Sequence, residues 1–333
     1  MTTFRVITWN VENLFMPKES DPFEEHEKYA FKLNLIANLI KEIEPDIVGF
    51  QEVGGEEPLQ DLQVALNGQY PNLVVSNFPD RRGIRVAFLT KLEVTAVDEI
   101  VNFPPNPATL VFKMAGDSPA IPISRMGRGA LLIQVRKDDL ALYLINAHLK
   151  SKLLTFKTKT GRTSFSPINE NQRAQEAGIA LHRRAAEALT LRMHINQLIE
   201  GQAGQPLLLL GDFNDVPEAQ TSLLLTGPTG SEIGTAGFNR SDKGDDARLF
   251  NLAFLIPEDR RFSRIHLGRN ELLDQFYASE EMFPRNSEGR RILPIVDSLI
   301  DYNTELPSIA DNPNLRDEAI VPDHAPVVCT FEL

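Results

Sequence analysis

Cysteine is nearly absent: Cys329 is the only one among 333 residues. A single thiol cannot close a disulfide within the chain, and it excludes zinc sites built on several cysteines. It lies in the apolar run Val327-Val328-Cys329-Thr330-Phe331, where it reads as a small buried hydrophobe. Long apolar runs are lacking as well. None approaches the ~18 residues that a membrane span needs. The N-terminus, Met1-Thr2-Thr3-Phe4-Arg5, has no charged segment followed by an apolar one. The expectation is a cytoplasmic protein with no membrane span. There is no Ser/Gly/Pro-rich linker and no internal repeat, so one α/β domain over residues 1–333 is expected. The Gly-rich phosphate loop of Walker type is missing too, which argues against triphosphate hydrolysis by that route. Positive charge is in deficit. Lys and Arg number 34 against 46 Asp and Glu, a net charge of −12. Bulk electrostatics therefore disfavour non-specific nucleic-acid binding, but they leave room for a local basic patch and for carboxylates that hold a divalent cation.

What the chain does have is a set of strand patterns that end in polar residues. The clearest is Leu207-Leu208-Leu209-Leu210-Gly211-Asp212-Phe213-Asn214-Asp215. Four leucines in a row predict a strand buried on both faces. Gly211 allows a tight turn or a close backbone approach. Asp212 and Asn214 follow at the strand's C-terminal end, where open α/β sheets bind ligands. Asp212 reads equally well as the N-cap of a helix beginning at Val216-Pro217-Glu218.

Other strand ends add to this. Phe4–Trp9 alternates and delivers Asn10, Glu12 and Asn13, with Trp9 expected in the core. Leu33, Ile36, Ile40 and Ile43 give a helix over about 24–44 one apolar face. The strand Asp46–Phe50 then leads to Gln51-Glu52. Glu52 is a second carboxylate at a strand end, although alone it would read as an exposed loop acid. A helix is expected over 58–66, and strands over 73–75, 84–90, 92–100 and 110–113. Arg81 and Arg82 read as a solvated edge, while Arg85 could face a phosphate. Gly129–Arg136 and Leu140–Ala147 form a hairpin ending in His148, a residue that would more often be structural. The basic loop after it holds Lys150, Lys152, Lys157, Lys159 and Arg162. A long helix over 170–199 precedes the leucine strand. Strands are expected over 249–256 and 262–267. Asp274 sits among apolar neighbours, where a carboxylate needs a partner. Asp323-His324 precedes a final strand.

Together, Asn10, Glu52, His148, Asp212, Asn214, Asp274, Asp323 and His324 make an oxygen-rich set with two imidazoles. Such donors suit Mg²⁺, or Mn²⁺, rather than zinc, and such a metal commonly handles phosphate oxygens. The segments Thr8–Asn13, Gln51-Glu52, Asn146–Ser151, Gly211–Asn214, Leu273-Asp274 and Asp323–Val328, in this order, resemble the endonuclease/exonuclease/phosphatase superfamily, the deoxyribonuclease-like fold. The resemblance spans residues 8–328. It implies a four-layer α/β/β/α sandwich with two packed mixed β-sheets. It also implies Mg²⁺-dependent hydrolysis of a phosphoester, in nucleic acid or in a smaller phosphorylated molecule, with no protein partner indicated. By matching position, Glu52 would be the principal metal ligand, with Asn10 beside it and Asp323 helping. Asp212 would orient or deprotonate the attacking water, and Asn214 would hold the scissile phosphate. His324, paired with Asp274, would act as base or phosphate stabiliser. His148 would contact the phosphate or assist the leaving group. Apart from the resemblance, Lys150, by its place beside His148, and Arg85 are the expected substrate contacts. One position departs from the family: Gln275 stands where many members carry an aromatic residue or His, which loosens the alignment of Asp274.

Overall fold

The computed structural model describes residues 3–104, 123–200, 205–227, 229–239, 248–302 and 320–333. In chain order, strand β1 (Thr3–Leu14) leads to helix α1 (Phe23–Ile43), β2 (Ile47–Val53), α2 (Glu57–Ala65), β3 (Asn72–Val75), β4 (Arg85–Thr90) and β5 (Glu93–Asn102). A long hairpin, β6 (Arg125–Lys137) and β7 (Leu140–His148), is followed by the short ribbon β8 (Phe156–Lys157) and β9 (Thr163–Ser164). Helix α3 (Glu170–Ile199) then enters β10 (Leu207–Asp212), and a one-turn α4 (Gln220–Leu223) follows. The rest is β11 (Leu249–Asn251), β12 (Arg264–His266), β13 (Arg269–Glu271), β14 (Asp274–Ser279), β15 (Ile295–Ser298) and β16 (Val327–Glu332).

Two six-stranded mixed sheets, β15-β16-β1-β2-β4-β3 and β11-β14-β10-β7-β6-β5, pack face to face. The alternation of side chains along each strand builds three apolar layers. Phe4 and Val6 of β1 point inward to meet Leu208 and Leu210 of β10. Ile7 and Trp9 point outward, under Leu33, Ile36 and Ile40 of α1 and Leu59 and Leu62 of α2. On the other side Leu207 and Leu209 lie under Ala188, Leu191 and Ile195 of α3. This is the four-layer α/β/β/α sandwich that the resemblance implied. The uninterrupted leucine run has its reason here, since both faces of β10 are covered.

An amide network locks the sheets together. Asn146 of β7 donates through Nδ2 to the Phe50 carbonyl at 2.9 Å and the Ala87 carbonyl at 2.8 Å, and accepts from Gln51 Nε2 at 2.7 Å. Gln51 adjoins Glu52 and Asn146 lies two residues before His148, so the lock sets the distance between those two strand ends. Replacing Asn146 by Leu leaves buried polar groups unpaired, each costing about 1–3 kcal/mol. The urea midpoint should drop by the equivalent of about 3 kcal/mol of stability. An unchanged midpoint would show that the network contributes nothing.

Several local expectations need correction. The strand expected over 249–256 ends at Asn251, whose side chain accepts from the Ala253 N–H at 2.9 Å and turns the chain into a 3₁₀ helix. The strand expected over 262–267 shrinks to Arg264–His266, paired only with β13 in a separate ribbon. Asp212 does not cap a helix, because α4 starts at Gln220 with Ala219 before it. Gly211, at φ 143°, serves close approach to the neighbouring strand: a Cβ there would lie 1.9 Å from the Ala147 carbonyl oxygen. The strand expected over 110–113 lies outside the described residues.

Candidate active site

The register places three ionisable side chains in one row. Asp212 of β10 stands opposite His148 of the parallel β7 and opposite Asp274 of the antiparallel β14. From the other sheet, Asn10 of β1 reaches across, its Nδ2 donating to Asp212 Oδ2 at 2.9 Å. His148 Nε2 lies 3.3 Å from the same oxygen and 3.9 Å from Glu52 Oε1. Asp212 Oδ1 accepts from the Asn214 N–H at 2.8 Å, an Asx turn that aims Asn214 back toward the row.

The backbone here is strained. Glu12, Asn13, Glu52 and Asn214 all have positive φ, between 43° and 66°. Residues with a Cβ pay roughly 1–2 kcal/mol for that region, and such outliers concentrate at functional sites. Local hydrogen bonds hold them. Glu12 N–H donates to Asn10 Oδ1 at 2.9 Å, and Asn13 N–H to Glu52 Oε2 at 3.3 Å.

The pairing expected between Asp274 and His324 is present, with His324 Nδ1 2.6 Å from Asp274 Oδ2. Both side chains are buried. Ser263 braces the pair: its hydroxyl donates to Asp274 Oδ2 at 2.6 Å, and its carbonyl accepts from Ala325 N–H at 2.7 Å. Trp9, a core residue as expected, also holds this loop by donating from Nε1 to the His324 carbonyl at 2.9 Å. Gln275, the departure from the family pattern, is a buried hub that donates to the Asp215 carbonyl and accepts from Asn251 and Tyr277.

The electrostatics separate the two imidazoles. Burial alone would lower the pKa of His324, but Asp274, Asp323 and Asp212 outweigh it and raise it to about 10, so this ring is cationic at neutral pH. His148 is held well below the ordinary histidine range by burial, with Arg128 and His324 adding repulsion. It is neutral, and its Nδ1 has no hydrogen-bond partner among the described residues. Burial raises Asp212 to about 6, with His324 opposing and Asp274 adding to the rise. That leaves Asp212 anionic at neutral pH yet more basic than an ordinary aspartate.

The donor set fits a hard divalent cation held by few protein groups. The Glu52 side chain keeps 15% exposure. Asn10 Oδ1 already accepts from Glu12, and Asp323 Oδ2 pairs with Arg264 Nη2 at 2.9 Å. No group of three His, Cys, Asp or Glu able to hold a metal occurs among the described residues. Mg²⁺ needs no such cage, since it binds through one or two carboxylates and keeps several waters. Glu52 satisfies that demand.

The expected substrate contacts are engaged with backbone carbonyls. Arg85 Nη1 donates to the Ser76 carbonyl at 2.7 Å. Lys150 Nζ donates to the Ser151 carbonyl at 2.9 Å, and burial lowers its pKa to about 8, with Glu187 opposing and Arg183 contributing. Lys152 lies 3.0 Å from Asp215 and 3.6 Å from Glu271. The sequence reading missed Ser263, Arg264 and Arg128, none of which stands in a recognisable pattern. It also dismissed Arg82, whose charge adds to the lowering at His148.

A model of the Endonuclease/Exonuclease/phosphatase family matches residues 7–298. No curated protein matches the chain. Solved structures share its fold at low identity. TDP2 from Caenorhabditis elegans has a TM-score of 0.57 and 16% identity, over 100% of this chain and 75% of that one. The mannosyl-6-phosphatase Bt3783 of Bacteroides thetaiotaomicron has a TM-score of 0.57 and 14% identity, over 99% and 100%. An endonuclease/exonuclease/phosphatase from Bacteroides vulgatus has a TM-score of 0.55 and 16% identity, with both chains fully covered. Among the described residues no helix is long and apolar enough to cross a membrane.

Proposed function

The chain belongs to the endonuclease/exonuclease/phosphatase family, and from that premise we propose that its centre is a Mg²⁺-dependent phosphodiesterase, a nuclease. The observation that carries this is the His148–Asp212–Asp274 row with the cationic His324 bonded to its far end. Asp212 orients the attacking water and takes its proton. Burial makes it basic enough for that, while Asn10 holds its orientation. His324, charged and fixed by Asp274, stabilises the negative charge that grows on the phosphoryl oxygens. Asn214 keeps one amide hydrogen on the Leu149 carbonyl and has the other for the phosphate. His148, neutral, can donate from Nε2 to the leaving oxygen. Glu52, with Asn10 and Asp323 beside it, would hold the Mg²⁺ or Mn²⁺, which supplies Lewis-acid polarisation of the phosphate when bound.

A second reading, a phosphomonoesterase acting on a small phosphorylated molecule, is favoured by one observation: Lys152 is turned to Asp215 and Glu271 rather than offered to a polymer. A substrate panel in Mg²⁺ and in Mn²⁺ separates the two. It comprises plasmid DNA, single-stranded DNA, RNA, bis-p-nitrophenyl phosphate, mannose 6-phosphate and inositol phosphates. Cleavage of nucleic acid is expected. Turnover of monoesters alone would transfer the assignment to the second reading.

Lys157 and Lys159 are exposed in the basic loop. If they hold the nucleic-acid backbone, replacing both with Ala should flatten the plot of log K against log salt by about two units on a duplex. An unchanged slope would make the loop ordinary solvated surface.

A further inference from the structure

We propose that Arg184 and Glu187, on the buried face of α3, are positioning residues that hold the Leu149–Lys150 backbone and, through it, the His148 and Asn214 side chains; this rests on the phosphoester reading above. Two opposite charges buried to this degree, 5% and 1% exposed, need partners. They do not simply serve each other. Glu187 Oε2 accepts from the Lys150 N–H at 2.6 Å, and its Oε1 accepts from the Gly127 N–H at 2.9 Å and lies 3.4 Å from Arg183 Nε. Arg184 Nη1 donates to the Lys150 carbonyl at 3.0 Å, and its Nε donates to Asp215 Oδ2 at 3.1 Å.

Strand β7 ends at His148, and its last backbone bond to β10 is the one made by the Leu149 N–H. The other three main-chain polar groups of Leu149 and Lys150 are fixed by side chains. Leu149 N–H donates to the Asp212 carbonyl at 2.9 Å, and the Leu149 carbonyl accepts from Asn214 Nδ2 at 3.1 Å. The two groups of Lys150 belong to Glu187 and Arg184. Arg184 therefore joins two segments: the one just after His148, and, through Asp215, the one just after Asn214. Thr221 completes the hold on Asp215 from α4, at 2.6 Å. Charge-assisted bonds of this kind are the strong ones, and a shift of about 1 Å at a reacting centre can cost a hundredfold in rate.

The test replaces residues that touch no reacting atom. In Arg184→Ala and Glu187→Ala, kcat on bis-p-nitrophenyl phosphate should fall by roughly ten- to a hundredfold, with KM within about threefold. Glu187→Gln keeps an acceptor for the Lys150 N–H and should recover most of the loss. Arg184→Lys can reach Lys150 or Asp215 but not both, and should fall between. These conservative variants also serve if the alanine variants fold poorly. Independently of activity, amide hydrogen exchange should quicken in 146–152 and 212–216 while 188–199 of α3 keeps its protection. Exchange unchanged in those two segments, or quickened without loss of kcat, would overturn the positioning role. A wild-type protein inactive on the whole substrate panel would instead bring down the phosphoester reading, an outcome distinct from active variants of an active enzyme.

Discussion

Glu52→Gln is expected to lower phosphoester hydrolysis by roughly a thousandfold while the fold survives. The substitution keeps the shape and the left-handed backbone at φ 66°, and its amide oxygen can still accept from the Asn13 N–H. What it removes is the negative charge through which Glu52 is proposed to hold the cation. Asn10 brings no charge to replace it, and the Asp323 carboxylate already faces the Arg264 guanidinium at 2.9 Å. Initial rates in Mg²⁺, with an EDTA control, would be read beside circular dichroism and thermal unfolding. Full activity in EDTA, or in the folded variant, would refute a metal held at Glu52.

Asp274→Asn is expected to cut kcat by about a hundredfold or more while KM changes little, since the stabilisation it removes belongs to the transition state. The pH profile gives the more specific sign. Activity in the wild type should rise as Asp212 ionises through about 6 and decline only as His324 loses its proton through about 10. Burial opposes the imidazolium and Asp274 is the foremost group sustaining it. Without that carboxylate the alkaline decline must move toward neutral pH. The same linkage applies to stability. The His324 contribution is complete below the unfolded pKa near 6.5 and is lost as pH rises through about 10. An alkaline limb that stays in place in Asp274→Asn would mean that another group governs it.

The helices and most strands were legible because their evidence is local. The spacing of Leu33, Ile36 and Ile40 defines one face of α1 without reference to anything else. The run Leu207–Leu210 announces a strand covered on both sides, and β10 is one. Local evidence also explains the error at 249–256, where apolar content hid the side chain of Asn251 closing a turn on Ala253.

The candidate residues could be picked out, but not assigned, because each had an innocent local explanation. Asp212 read equally well as a helix cap, Glu52 as a loop acid, and His148 as a structural residue. The sequence by itself determined that the chain forms alternating apolar strands and helices whose strand ends carry acids, amides and two histidines. Only the tertiary structure decided that these ends meet. β10 sits between β7 and β14, which brings Asp212 level with His148, 64 positions earlier, and Asp274, 62 positions later, while β1 supplies Asn10 from the opposite sheet. The physical reason is that periodicity is a property of neighbouring residues. Strand order, register, and the reach of Ser263, Arg184 and Glu187 to distant backbone groups are fixed by packing and hydrogen bonds between segments far apart in the chain.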